Sequence, residues 1–261
     1  MSFFRNAHAV SKFLGFDHKV TIKNVSGLGW FIADYKKMKA QLKNNPDFKK
    51  FTLYTITSDK SDSGGSAKGH YFHQDLLVAQ KIFKDNPVKH VDVGSRIDGF
   101  VAHVAAFREI EVFDIRPIES NVQNMRFIQC DFMNVDASLK NYADSLSCLH
   151  VIEHFGLGRY GDPIDVDGHI KGLAGIYEVL KPGGKFYLST PIGEQRMEFN
   201  GQRVFDVSYL LNLFKDKFVI DNFSFVDDAG DLHKNVNLSI EQVQKNFNCH
   251  YGCGIFEMTK K

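Results

Sequence analysis

No stretch of the 261 residues approaches the roughly 18 to 20 consecutive apolar side chains that a membrane-spanning helix needs. The opening MSFFRNAHAVSKFLGF is interrupted by charge and does not read as a secretory leader. A basic block is missing too. The 32 Lys and Arg are scattered among 31 Asp and Glu for a net charge of +1, which leaves no electrostatic footprint for nucleic acid. Cysteine is scarce, with four in the chain. Cys130 and Cys148 fall in apolar segments, where a free thiol behaves as a small buried group. Cys249 and Cys253 bracket His250 as a lone C-x-x-x-C pair, and without a second pair no metal is expected. These absences predict a reduced, cytoplasmic protein that meets neither membrane nor nucleic acid and takes a small molecule as partner. Nor is there an internal repeat.

What is present is an ordered series between residues 90 and 191: HVDVGS, EVFDIRP, FIQCDF, SLSCLHVIEHFG and LKPGGKFYLSTP. Each reads as a short apolar strand, and the first four run into a small or polar residue. Strands alternating with helix-compatible segments predict βαβ units and a parallel sheet, whose ligands sit beyond the carboxyl ends of the strands. Before the series, Phe31, Tyr35, Met38 and Leu42 fall at helical spacing and predict one buried stripe, ended by Asn44, Asn45 and Pro46. Residues 58–69, rich in Ser and Gly, read as a mobile linker or lid. In HYFHQDLLVAQKIFKDNP, Phe72, Leu76, Ile82 and Phe83 predict a helix stopped at Pro87. A helix from Asp167 to Leu180 should end at KPGG. Past Pro191 the expected order is helix VSYLLNLF, strand KFVIDNFSFV, a polar excursion and a last strand GIFEMTK.

The residues at the strand ends carry the chemistry. Gly94 and Gly99 in DVGSRIDG allow close backbone approach to a ligand at a helix N-terminus, although the dinucleotide fingerprint G-x-G-x-x-G is missing because Arg96 replaces its second glycine. Asp114 ends the next strand twenty residues on, where a carboxylate accepts ribose hydroxyls or caps the following turn. Asp131 is either an acceptor for an adenine amino group, with Phe132 packing on the ring, or the start of an Asx turn. In HVIEHFGLGRYGDPID, a helix after the strand would put His150, Glu153 and His154 on one face. The H-x-x-E-H pattern also occurs in zinc peptidases, but FGLG follows too soon for their helix. The trio is then structural, or one member is a general base or metal ligand. In GLGRYGDP, Arg159 can fork onto a phosphate or carboxylate, Tyr160 stands beside it, and Asp162 can accept a sugar hydroxyl. The alternative is a loop pinned by an internal Arg159 to Asp162 pair.

With these pieces in order, residues 70–261 resemble a class I S-adenosylmethionine-dependent methyltransferase, and the string HVIEHFGLGRYGDPID with HYFHQDL upstream is most similar to a bacterial and nematode group of unknown function. The resemblance implies an α/β fold with a seven-stranded, mostly parallel, Rossmann-like sheet whose last strand is antiparallel. It also implies that S-adenosylmethionine is the cofactor, lined by Gln74 or Asp75, Asp92, Gly94, Asp114, Asp131 and His150, with Arg96 placed for its carboxylate. Arg96 and Asp98 stand where the family has glycines, so the loop's path departs from the pattern. The domain expectation is a helical N-terminal cap and linker over residues 1–69 and a methyltransferase domain over 70–261. The functional expectation is O-methylation of a small polar acceptor such as a sugar, a phosphorylated metabolite or a surface-polysaccharide precursor. His154, Glu153 or His150 would be the base, Arg159, Tyr160 and Asp162 would bind the acceptor, and a homo-oligomer is compatible. The alternatives are a non-catalytic protein of the same fold that binds the cofactor or serves as a partner subunit, and, with less support, an NAD-dependent oxidoreductase.

Overall fold

His90–Val93 (β1) is buried at all four positions, as a strand covered on both faces must be. It pairs in parallel with Ile110–Asp114 (β2) on one side and Ala143–Leu149 (β4) on the other. Met125–Gln129 (β3) extends the β2 edge and Leu180–Ile192 (β5) the β4 edge, both parallel. Two strands, Arg196–Glu198 (β6) and Gln202–Val204 (β7), form a separate small hairpin. Phe218–Val226 (β8), Leu232–His233 (β9) and Gly252–Lys260 (β10) complete the main sheet in the order β3-β2-β1-β4-β5-β10-β8-β9. β10 is antiparallel to both of its neighbours. This is the seven-stranded, Rossmann-like sheet the sequence predicts, with the two-residue β9 added at one edge. The KPGG turn lies within β5, where residues 181–184 loop out opposite Asp144.

The computed structural model describes residues 11–119 and 121–261, so most of the opening stretch tested for a leader lies outside the described residues. No helix among the described residues is long and apolar enough to cross a membrane. The chain divides after Ser66 into two units. The first contains His18–Ser26 (α1), capped by the Asp17 carboxylate, and Leu28–Leu42 (α2). The stripe expected on α2 is not buried: no residue of this helix is, and Met38 is 50 % exposed. So small a unit has little apolar surface with which to cover a helix face. Residues 58–69 contain neither helix nor strand.

In the second unit, His70–Asp85 (α3) and Ala102–Ala105 (α4), the latter entered through a wide π-type turn, cover one sheet face. Gly168–Val179 (α5) and Val207–Phe214 (α6) cover the other. Ile240–Gln244 (α7) adds Val243 to that second core. Phe256 is fully buried there, 4.7 Å from Phe223 and 5.3 Å from Phe214 between ring centroids, and each such aromatic pair contributes about 0.5 to 1.5 kcal/mol beyond area burial. The helix expected to stop at Pro87 forms as α3, and polar residues take part in its inward face. Gln74, Asp75, Val78, Ala79 and Ile82 are buried, whereas Phe72, Leu76 and Phe83 are exposed. Two polar residues tolerate that face because Gln74 Oε1 accepts from Ser189 Oγ at 2.5 Å while its Nε2 donates to Asp75 at 3.1 Å.

His90 within β1 is neutral for the same kind of reason. Its ring nitrogens lie 2.8 Å from Ser145 Oγ and 3.1 Å from Ser147 Oγ, and burial, with Arg108 adding, pushes its pKa down to about 3. The unfolded chain takes up this proton below about pH 6.5, whereas the folded chain does not, so the folded state loses stability as pH falls below that value. Parent and His90→Gln proteins compared by denaturant unfolding should therefore differ less at pH 5 than at pH 7.5, by about 2 kcal/mol. A difference independent of pH would contradict a buried neutral imidazole.

Candidate functional site

Between β1 and β4 the strand order reverses, and beyond their carboxyl ends opens a crevice lined by Gly94, Asp114, Asp131, Phe132, His150, His154, Tyr160 and Asp162 among others. A second hollow shares Gly94, Asp114, Arg116, His150, His154 and Tyr160 with it and adds Tyr71, Arg96 and Asp98. Gly94 turns the chain at φ +66°, and a Cβ there would stand 2.8 Å from Val151 Cγ1, so both backbone conformation and space require glycine. Asp92 does not line this crevice. Its carboxylate is fully buried beneath the turn, accepting from Ser95 N at 2.9 Å and from the Ser95 and Ser147 hydroxyls at 2.6 Å each. Those bonds make it a fastener for the loop, and burial pushes its carboxyl up to about 6 despite them.

Asp114 lies at the rim with its carboxylate forked onto Arg116, Oδ1 to Nε at 3.1 Å and Oδ2 to Nη2 at 2.9 Å, and with the Arg116 backbone N–H also on Oδ1. The guanidinium in turn covers the Tyr160 ring at 4.4 Å. Oδ2 accepts one bond here, leaving capacity for a ligand hydroxyl. Asp131 starts an Asx turn through Oδ1, which accepts from Met133 N at 2.8 Å, and Phe132 meets Phe113 edge-on at 5.7 Å. Arg96 pairs with Asp98 at 2.9 Å and lies 4.8 Å from the centre of the Tyr71 ring. Gln74 is away from the crevice wall, inside the α3 contact already described.

The trio does not share a helical face. His150 takes a left-handed φ of +55°, and Ile152–His154 form a single 3₁₀ turn. His150 and Glu153 do meet, Nδ1 to Oε1 at 2.7 Å, but Glu153 is fully buried and its other oxygen faces Thr190 Oγ1 at 3.3 Å, so it cannot reach an acceptor. Burial opposes a positive charge on His150, but Cys253 and Glu153 outweigh it and hold its pKa well above the usual range, which unsuits it as a base. His154 is different. Its Nδ1 donates to Gly201 O at 2.7 Å, which fixes the tautomer with a lone pair on Nε2, and burial, the largest influence, lowers its pKa. The ring stands edge-on to Tyr160, 5.5 Å away.

The GLGRYGDP loop is organised by backbone rather than by an Arg159 to Asp162 pair. Asp162 accepts from the amides of Gly156 at 2.7 Å, Gly158 at 3.2 Å and Tyr160 at 3.2 Å, while Arg159 Nη1 donates to Gly201 O at 3.1 Å. Asp162 is thus mostly spent within the loop. Gly156, at φ +76°, passes so close to Asp165 that a Cβ would lie 2.1 Å from its carbonyl oxygen. Two supports were not foreseen in the sequence: the β6–β7 turn that presents Gly201 O, and Arg203. The buried guanidinium of Arg203 donates to the carbonyls of Glu153, Phe155, Asp165 and Val166 at 2.6 to 3.3 Å.

A parallel sheet reversing between β1 and β4, closed by an antiparallel β10 and carrying a crevice at the reversal, is the Rossmann-like fold of the methyltransferases. It is shared, at 15 % sequence identity and a TM-score of 0.50, with the crystal structure of Burkholderia thailandensis 1,6-didemethyltoxoflavin-N1-methyltransferase, over 72 % of this chain and 78 % of that one. The [4+2]-cyclase SpnF is as similar, with 15 % identity, a TM-score of 0.50 and coverage of 72 % and 80 %. A methyltransferase and a cyclase on one fold show that the fold alone does not choose the reaction. No curated protein matches the chain. Residues 104–252, more than half of the sequence, match the family described as Caenorhabditis protein of unknown function, DUF268, and the chain belongs to that family.

Proposed function

We propose that the crevice binds S-adenosylmethionine and that the chain transfers its methyl group to an oxygen of a small polar acceptor. The observation that carries the reading is His154. Its proton is fixed on Nδ1 by Gly201 O, and it lines the same crevice as Gly94, Asp114 and Asp131. The residues fit a nucleoside. Gly94 brings bare backbone to the crevice wall, Asp114 has an acceptor site for a ribose hydroxyl, and Asp131 and Phe132 line the same crevice with a carboxylate and an apolar ring. Arg96 would leave Asp98 to meet the ligand's carboxylate.

S-adenosylmethionine, once bound, supplies an electrophilic methyl group on a sulfonium sulfur. The chain's part is to hold the acceptor oxygen in line and to take its proton on His154 Nε2 as the new bond forms, much of the rate coming from positioning. Arg116 and Arg159 flank Tyr160 at 4.4 and 5.2 Å, a cationic and aromatic rim suited to a phosphorylated or polyhydroxylated acceptor. Sugars, phosphorylated metabolites and surface-polysaccharide precursors have that chemistry.

The test is Asp114→Ala. Loss of a charge-assisted bond to a ribose hydroxyl costs roughly 1.5 to 3 kcal/mol, so S-adenosylhomocysteine should bind about ten- to a hundredfold more weakly. An unchanged Kd in a folded variant would remove Asp114 from the nucleoside site. Arg116→Gln, which frees the Asp114 carboxylate, should not reproduce the loss.

A further inference from the structure

We propose that His70, His150 and Cys253 hold one divalent cation of the zinc class beside the crevice. The three residues come from separate elements: the first turn of α3, the residue after β4 and the start of β10. They bring one donor atom each to within 4.8 Å of one another. Tetrahedral zinc, with bonds of about 2.0 to 2.1 Å to nitrogen and 2.3 Å to sulfur, sets its donors roughly 3.3 to 3.8 Å apart, so the cluster closes by about 1 Å on binding.

Proximity alone would not make a site. His150 supplies the second observation: its Nε2 is buried with no hydrogen-bond partner, in a side chain only 4 % exposed. A buried ring nitrogen left unpaired is costly, and a metal ion that displaces its proton gives it a partner. Glu153 completes the pattern. Its Oε1, 2.7 Å from His150 Nδ1, keeps a proton on that nitrogen, so that when a metal displaces the Nε2 proton the ring takes up the carboxylate–histidine–metal arrangement that orients metal ligands. Thr190 Oγ1, 3.3 Å from Oε2, holds the carboxylate in turn. His70 lies almost parallel to His150, ring centroids 5.2 Å apart and planes 6° off, with Tyr251 stacked on it at 5.5 Å. The Cys253 thiol is fully buried and faces His150, with weak acceptors at Gln74 Oε1, 3.6 Å away, and Gly254 O, 3.9 Å away.

Charge and ligand softness agree. On binding, the Cys253 thiol and His150 Nε2 each give a proton to solvent, and the thiolate with the Glu153 carboxylate balances a double positive charge in a place where unbalanced charge is expensive. One thiolate and two imidazoles select zinc over magnesium or calcium, which prefer oxygen. Three protein ligands leave the fourth position to water, as in zinc sites that are not purely structural. This is not the C-x-x-x-C site weighed from sequence, because Cys249 lies outside the cluster and His250 is exposed.

The proposal does not depend on methyl transfer, and the metal is read directly. The full chain, stripped with a chelator and titrated with Co²⁺, should take up one equivalent and develop a near-ultraviolet sulfur-to-cobalt charge-transfer band with the visible bands of a four-coordinate ion, both bleached by zinc. Cys253→Ser should lose the charge-transfer band and Cys249→Ser should keep it. Glu153→Gln should weaken cobalt binding about ten- to a hundredfold. A folded parent chain that gives no sulfur-to-cobalt band overturns the proposal without recourse to any variant, and so does a band that persists in Cys253→Ser.

Discussion

Replacing His154 with Gln should lower turnover by about a hundred- to ten-thousandfold, the loss typical of a missing general base, while leaving S-adenosylhomocysteine affinity close to that of the parent. The asymmetry follows from where the ring stands. Nδ1 is spent on Gly201 O at 2.7 Å, so Nε2 is the atom left for chemistry, and burial keeps the ring neutral near pH 7. Gln retains a hydrogen-bonding group but cannot accept a proton at neutral pH. In barrier terms the loss is about 3 to 5 kcal/mol, realised in the chemical step and not in cofactor binding. Raising the pH should recover part of the rate by ionising more of the acceptor. Near-normal turnover in the variant would leave His154 as a support for the β6–β7 turn and remove it from the mechanism.

Arg203→Met should destabilise the folded chain by about 3 to 5 kcal/mol, near the top of what one substitution does. The side chain is 3 % exposed, and its Nη atoms satisfy four carbonyl oxygens in the turn after β4 and the segment leading to α5. Met fills much of the volume but donates nothing, so those buried acceptors lose charge-assisted bonds whose removal costs more than their net worth. The cost is offset in part because burial, the largest influence on this guanidinium, disfavours its charge, and its Nε has no partner. Denaturant unfolding gives the number directly. A loss below about 1 kcal/mol would mean that the loop from Glu153 to Val166 holds itself together without the arginine.

The positions of Gly94, Asp114, Asp131 and His150 were legible in the sequence because central parallel strands read as apolar runs and the crevice begins where each run stops. That logic places residues at strand ends but does not say which way a side chain turns. Asp92 and Glu153 sit in the same motifs as the crevice residues yet point beneath it, because Ser95 and Ser147 in one case and His150 and Thr190 in the other offer partners there. Helical periodicity likewise could not identify the buried face of α3, where Gln74 is inside through its bond to Ser189 and Phe83 is outside. Arg203 and Gly201 left no signal at all. They act on backbone carbonyls and side chains some 40 or 50 residues away, and a backbone carbonyl has no letter in the sequence. The same holds for His70 and Cys253, which meet only because β10 inserts beside β5.

The central claim is that the crevice beyond β1, β2 and β4 is a site for S-adenosylmethionine. A calorimetric titration of the unaltered chain with S-adenosylhomocysteine, run beside one with NAD, tests it most directly. Saturable binding of one S-adenosylhomocysteine per chain, with no heat from NAD, is the result predicted. No binding of S-adenosylhomocysteine by the folded chain, or tighter binding of NAD, would contradict it.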